Sequence, residues 1–293
     1  MMEALEFGFT QRAPVASTII AAVAPLVGAF IVQRRQALIG DGMGLVAFAG
    51  VGLAFLAGLN PLIGALVLTA LAELALVRLS RGPAGGDLSL ALVFYGGIAA
   101  GYLFASRGGG GQNQILGLLF GSPLNLTWGQ VGSVAALAIA VAGVLALLYR
   151  QLVALAFDEA AARASGVSTT GLVMALTVLV ALVVVAGMST IGLLLISAMM
   201  VIPVATAAQV TNSYRSMLWV SSAIGAASAV TGILIAYHAA VPTGSSTALT
   251  ALSAYSLTAL AAAISRHLRR ARNTVPAGRN AALMSEDGTN TSV

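Results

Sequence analysis

Apolar runs of about 20 residues recur along this chain from residue 14 to residue 265, parted by short polar turns. A run of that length, wound as a helix, matches the hydrocarbon thickness of a bilayer, and in hydrocarbon a helix satisfies its own backbone hydrogen bonds. The expected spans are 14–33, 41–59, 61–79, 88–106, 130–150, 169–188, 190–209, 216–237 and 246–265. Only Gly187-Met188-Ser189-Thr190 separates the sixth from the seventh, the least marked boundary. Between the fourth and fifth, Ile115-Leu116-Gly117-Leu118-Leu119-Phe120-Gly121 is too short to cross and reads as a re-entrant or interfacial helix ending at Ser122-Pro123. The expected fold is therefore all-α, a polytopic membrane bundle of about nine transmembrane helices, or eight if one segment does not cross. Residues 1–265 form one transmembrane domain, and 266–293, Arg-rich and then polar with Pro276 and Gly278, read as a basic surface anchor followed by a disordered tail.

Composition agrees: 59% of the residues are hydrophobic, 8% are charged, and the mean hydropathy is +0.97. With no Cys, disulfides and thiolate metal sites are excluded. The net charge of +5 is no nucleic-acid footprint. Every basic residue is Arg, and with nine crossings Arg34, Arg35, Arg78, Arg81, Arg150, Arg163, Arg215 and the five from Arg266 to Arg279 share one side. Arg12 and Arg107 take the other. Cytoplasmic loops collect Arg and Lys, so the N-terminus is expected outside and the C-terminus inside. The first span shows no small-residue cleavage site, so no removable signal peptide is expected. The Gly108–Gly111 run lacks the Lys-Ser/Thr of a phosphate loop and lies on the outer side, where it reads as a loop.

Ionisable groups inside spans are costly and therefore informative. Asp41 is read either as the N-cap of the second span or as a carboxylate facing a central pathway. Glu73 is read first as an interfacial partner of Arg78. His238 reads as an interfacial packing residue, with metal ligation as the alternative, and His267 as solvated. Met174, Met188, Met199 and Met200 read as core filler rather than soft-metal ligands. No nucleophile–base pair, nucleotide loop or closed metal shell is present, so the chain is not expected to be an enzyme.

One stretch breaks the membrane pattern. Phe157 to Val167 is polar, alanine-rich and closed by Gly166, which suits a short cytoplasmic helix gripped by a soluble partner. The later run Ile191 to Ala207 has small residues and Pro203 in mid-span, as a helix packed inside a bundle would.

These pieces, with Leu119-Phe120-Gly121-Ser122, Pro242-Thr243-Gly244 and Gln33-Arg34-Arg35 leading to Ile39-Gly40-Asp41-Gly42, follow one family's order. The chain resembles the transmembrane permeases of bacterial ABC importers for zinc, manganese and iron. The resemblance implies a homodimer in the cytoplasmic membrane with two cytoplasmic ATP-binding subunits and an extracytoplasmic substrate-binding protein. It implies a transported metal ion, with ATP used by the partner and no cofactor held by this chain. It makes Phe157, Asp158, Glu159, Arg163 and Gly166 the coupling helix, and sets Asp41 and Pro203 on the pathway. The family usually carries a His four residues after that Asp, one turn on along the same helix face; here the position is Leu45. A two-fold pair of Asp41 carboxylates would suit a hard cation, manganese or iron, better than zinc. A haem or metal-chelate permease, an ion-coupled secondary transporter using Asp41 and Glu73, and a non-transporting scaffold stay open as alternatives.

Overall fold

The computed structural model describes residues 8–34, 37–80, 85–107, 117–121, 126–188, 190–239 and 241–273. Within them the long helices are α1 (Gly8–Gln33), α2 (Ala37–Ala57), α3 (Pro61–Ser80), α4 (Gly85–Arg107) and α5 (Trp128–Phe157). After the short α6 (Glu159–Ala164) come α7 (Thr169–Met188), α8 (Leu193–Val210), α9 (Tyr214–Ala239) and α10 (Thr243–Asn273). Each expected span falls on one of these long helices. Among the described residues, 7 helices are long and apolar enough to cross a membrane, and α2 and α3 contribute shorter apolar stretches, Asp41–Ala57 and Pro61–Leu76. This is a multi-pass membrane protein. The expected re-entrant segment is seen as one helical turn over 117–120; its flanks, the Gly108–Gly111 run and the tail from 274 lie outside the described residues. The last helix runs to Asn273, beyond the expected end of its span.

The core lies where α1, α2, α7 and α8 meet, around Phe30, Phe48, Leu179, Ile196 and Met199, all nearly inaccessible. Close approach rests on missing side chains. A Cβ on Gly225 would lie 2.1 Å from Ala21 O, and one on Gly28 would lie 1.9 Å from Met200 O, so α9 and α8 touch α1 backbone to backbone. Met188, Met199 and Met200 are core, as expected. Pro203 is buried within α8, whose helix continues on both sides of it.

The two ends of the bundle differ. At one end stand Arg34, the α6 knob and the start of α9, joined by the Arg34–Glu159 ion pair and the Phe157–Tyr214 ring contact. At the other, Arg12 from α1 lies over the Trp128 ring that opens α5, 5.4 Å from its centroid. The structure thus separates Arg12 from Arg34, Arg163 and Arg215, as the arginine sorting requires.

Candidate functional site

The knob is made by two helix caps. Asp158 closes α5, its N–H donating to Ala154 O, and in the same extended conformation opens α6, its carboxylate accepting from Ala161 N at 2.9 Å. One residue thereby turns a 30-residue helix into a six-residue one. At the far end Gly166 (φ +79) takes the left-handed conformation. Val167 N donates to Ala162 O and Gly166 N to Arg163 O, each 3.1 Å, the paired bonds of a glycine-closed helix end. Only Ala162 of α6 is buried, so the rest of its surface is open to a partner.

Glu159 holds the knob to the bundle. Its Oε2 accepts from Arg34 Nη2 at 3.2 Å and its Oε1 from Arg163 Nη2 at 3.0 Å. The two arginines differ in burial: the Arg34 side chain is 9% exposed, that of Arg163 69%. Among the described residues, Arg34 Nη1 is buried without a hydrogen-bond partner. Phe157, 61% exposed, rests edge-on against Tyr214 at 5.6 Å, and Tyr214 against Phe30 of α1 at 5.5 Å. The knob is therefore fastened to α1 and α9 by one ion pair and one chain of rings. Arg34 stands out in the sequence for topology and as part of the Gln33-Arg34-Arg35 motif, but its partner is 125 positions away, and nothing local marks the pair.

The membrane carboxylates remove one of the two readings of Asp41 and the first reading of Glu73. Asp41 is not an N-cap: α2 begins at Ala37, so Asp41 lies a turn inside the helix, with its side chain exposed. Glu73 does not pair with Arg78, which is exposed; it is 6% exposed and accepts a hydrogen bond from Thr177 Oγ1 of α7 at 3.1 Å. The reason is rotational, since Glu73 falls on the α3 face turned toward α7 and Arg78 on the open face. α2 and α3 cross at Gly50 and Gly64, where a Cβ on either would come within 2.3 Å of the other's carbonyl oxygen. Asp41 and Glu73 each stand nine residues from that crossing toward the Arg-rich end, about 13.5 Å along the axis by helical rise. They share a depth but not an environment. Leu45 is half-buried, beside the point where Gly97 of α4 meets the α2 backbone. His238 is exposed on the last turn of α9, its Nδ1 2.8 Å from Leu234 O and its ring edge-on to Tyr237. Among the described residues, no three His, Asp or Glu side chains converge as a metal shell would require.

Three of the sequence motifs meet at the opposite end. Gly121 (φ +82), Gly192 (φ +99) and Gly244 bring the 117–121 turn, the α7–α8 link and the start of α10 into backbone contact. A Cβ on Gly192 would lie 2.3 Å from Phe120 C, and one on Gly244 would lie 2.1 Å from Ile191 O. Pieces that are separate in sequence are one junction in space.

The ABC 3 transport family matches residues 6–262. The chain belongs to that family. It is 31% identical over 270 residues to the manganese import system permease protein ScaB of Streptococcus gordonii, covering 90% of this chain and 95% of the relative. It is 28% identical to the "Probable iron transport system membrane protein" of Haemophilus influenzae, covering 83% of this chain and 90% of the relative. In three dimensions it superposes on a chain of PsaBC from Streptococcus pneumoniae, solved in complex with Fab, with a TM-score of 0.84 at 30% identity over 88% of this chain and 93% of that one. The permease fold of this family is therefore the fold described above.

Proposed function

We propose that this chain is the membrane permease of an ATP-driven importer that carries a divalent metal ion, manganese, zinc or iron, across the bacterial cytoplasmic membrane. The observation that carries the reading is the α6 knob: a doubly capped, exposed helix pinned to the bundle by Arg34. A rigid handle of this kind passes the movement of a soluble partner to the membrane helices without being absorbed by a flexible loop. The partner is a pair of ATP-binding subunits, one per permease in a homodimer, and an extracytoplasmic binding protein delivers the cargo. The Arg-rich end faces the cytoplasm, which places the N-terminus outside, the C-terminus inside and the glycine junction under the binding protein. Energy comes from ATP hydrolysed by the partner; this chain's role is passage and coupling.

Asp41 is the pathway carboxylate. It is exposed on α2 toward the Arg-rich end, where it is free to face a pathway between two copies. Carboxylate oxygens without imidazole favour hard cations, and Leu45 removes the imidazole. The relatives named for manganese and for iron agree with that preference. A second reading, a permease for haem or another metal chelate, is favoured by the lack of a converging ligand shell among the described residues.

Cellular metal content under metal starvation, measured by mass spectrometry with and without the gene, tests the reading. A selective fall in manganese, iron or zinc on deletion, restored by the gene, is expected. Unchanged content of all three would replace metal-ion import with the chelate reading and remove Asp41 from its role.

A further inference from the structure

We propose that the groove between α5 and α9 is a binding site for an anionic glycerophospholipid, with its acyl chain laid along α1 and its phosphate held by Arg215. By the orientation proposed above the site lies in the cytoplasmic leaflet, although its residues stand together whichever way the bundle faces.

Both α5 and α9 pack on α1, and the space they leave between them is a cavity of about 480 Å³. Its floor is Leu26 and Phe30 of α1, and its walls are Leu145 of α5 and Leu218 of α9. Ala142 and Ala146, one turn apart on α5, give it width. From Ala142 to Tyr149 the groove runs about 10 Å by helical rise, enough for the upper two-thirds or so of an acyl chain in a leaflet about 15 Å deep.

Its polar end is built differently. Tyr149, Trp219 and Arg215 line the mouth together, and Trp219 is 70% exposed. Amphipathic rings at one depth mark the headgroup level. Arg215 is exposed and, among the described residues, has no carboxylate partner; Arg150, next to Tyr149, is likewise exposed and unpaired. Among the described residues, no acidic side chain lines the cavity. One guanidinium group, that of Arg215, at the end of an apolar slot complements a phosphodiester with a hydrocarbon tail, and with no carboxylate beside it the charge balance favours a lipid of net negative charge. The site also touches the coupling apparatus, because the Phe30 ring that floors it packs against Tyr214, which packs against Phe157.

The assembled complex, purified in mild detergent, is examined by native mass spectrometry and lipid extraction as wild type, Arg215→Gln and Ala146→Trp. Wild type is expected to retain phosphatidylglycerol or cardiolipin in excess over phosphatidylethanolamine. Arg215→Gln is expected to lower that preference by roughly tenfold, the scale of one lost charge-assisted contact. Ala146→Trp, which fills the groove, is expected to abolish retention. Equal anionic-lipid retention in all three overturns the proposal, as does cross-linking of Ala146→Cys between two copies in membranes, which would make the groove a permease–permease contact. Should Ala146→Trp fail to assemble, Trp219 reports instead. The chain has only 2 Trp, so Trp128→Phe leaves Trp219 as its sole indole. Brominated phosphatidylglycerol is expected to quench it more than brominated phosphatidylcholine at equal mole fraction, and equal quenching overturns the site.

Discussion

Removal of Arg34 and removal of Arg163 should have unequal consequences, although both donate to the same glutamate. Arg163 and Glu159 are an exposed pair on one short helix, four residues apart, and such pairs are worth about 0.3–0.5 kcal/mol. Arg34 is nearly buried and joins α1 to α6 through a bond of 3.2 Å. A hydrogen bond between charged groups with one partner shielded from water is worth about 1.5–3 kcal/mol. Arg34→Ala should therefore raise the population of detached knob by roughly 10- to 150-fold, and Arg163→Ala by about twofold. The assay is the number of ATP molecules hydrolysed per metal ion delivered, in proteoliposomes holding the permease, its ATP-binding subunits and the binding protein. Arg34→Ala should raise that ratio several-fold while ATP hydrolysis continues, and Arg163→Ala should leave it within about a factor of two. Equal effects of the two variants, or an unchanged ratio in Arg34→Ala, would refute the argument that the buried pair fastens the knob.

Asp158→Ala removes the cap shared by α5 and α6 and should cost about 1 kcal/mol, seen as a lower thermal midpoint in detergent and weaker ATP-binding-subunit association. Gly192→Ala combines a positive φ with a Cβ 2.3 Å from Phe120 C, so the glycine junction should open at a cost of about 3 kcal/mol or more; an unchanged thermal midpoint would count against it. Thr177→Val leaves Glu73 buried without its hydrogen bond and should cost about 1–3 kcal/mol by the same measurement. Leu45→His should raise metal affinity of the purified complex by titration, because it puts imidazole one turn from Asp41; no change would take Asp41 and position 45 off the pathway.

Long helices were legible because a bilayer asks for apolar runs of one length, and Gly, Pro and Arg punctuate them. The knob was legible for a local reason: an Asp that caps and a Gly that turns lie eight residues apart on a polar background. Of the two readings of Asp41 the cap fails, because apolar Ala37 and its neighbours extend α2 upstream of it. Glu73 was given the nearest arginine, but helix rotation turns it to Thr177, 104 residues on, and periodicity in a span apolar on all sides does not reveal rotation. The Arg34–Glu159 pair and the glycine junction are long-range contacts of the same kind. Their components were visible as motifs, and their meeting required the fold.

The central claim is that ATP, spent by a partner gripping α6, drives metal inward. Uptake of radioactive manganese into proteoliposomes containing the complete complex, with and without ATP and with the proton gradient collapsed, tests it most directly. Uptake that requires ATP and survives collapse of the gradient is the predicted result. Uptake that proceeds without ATP and stops when the gradient is lost would contradict it and make Asp41 and Glu73 proton carriers instead.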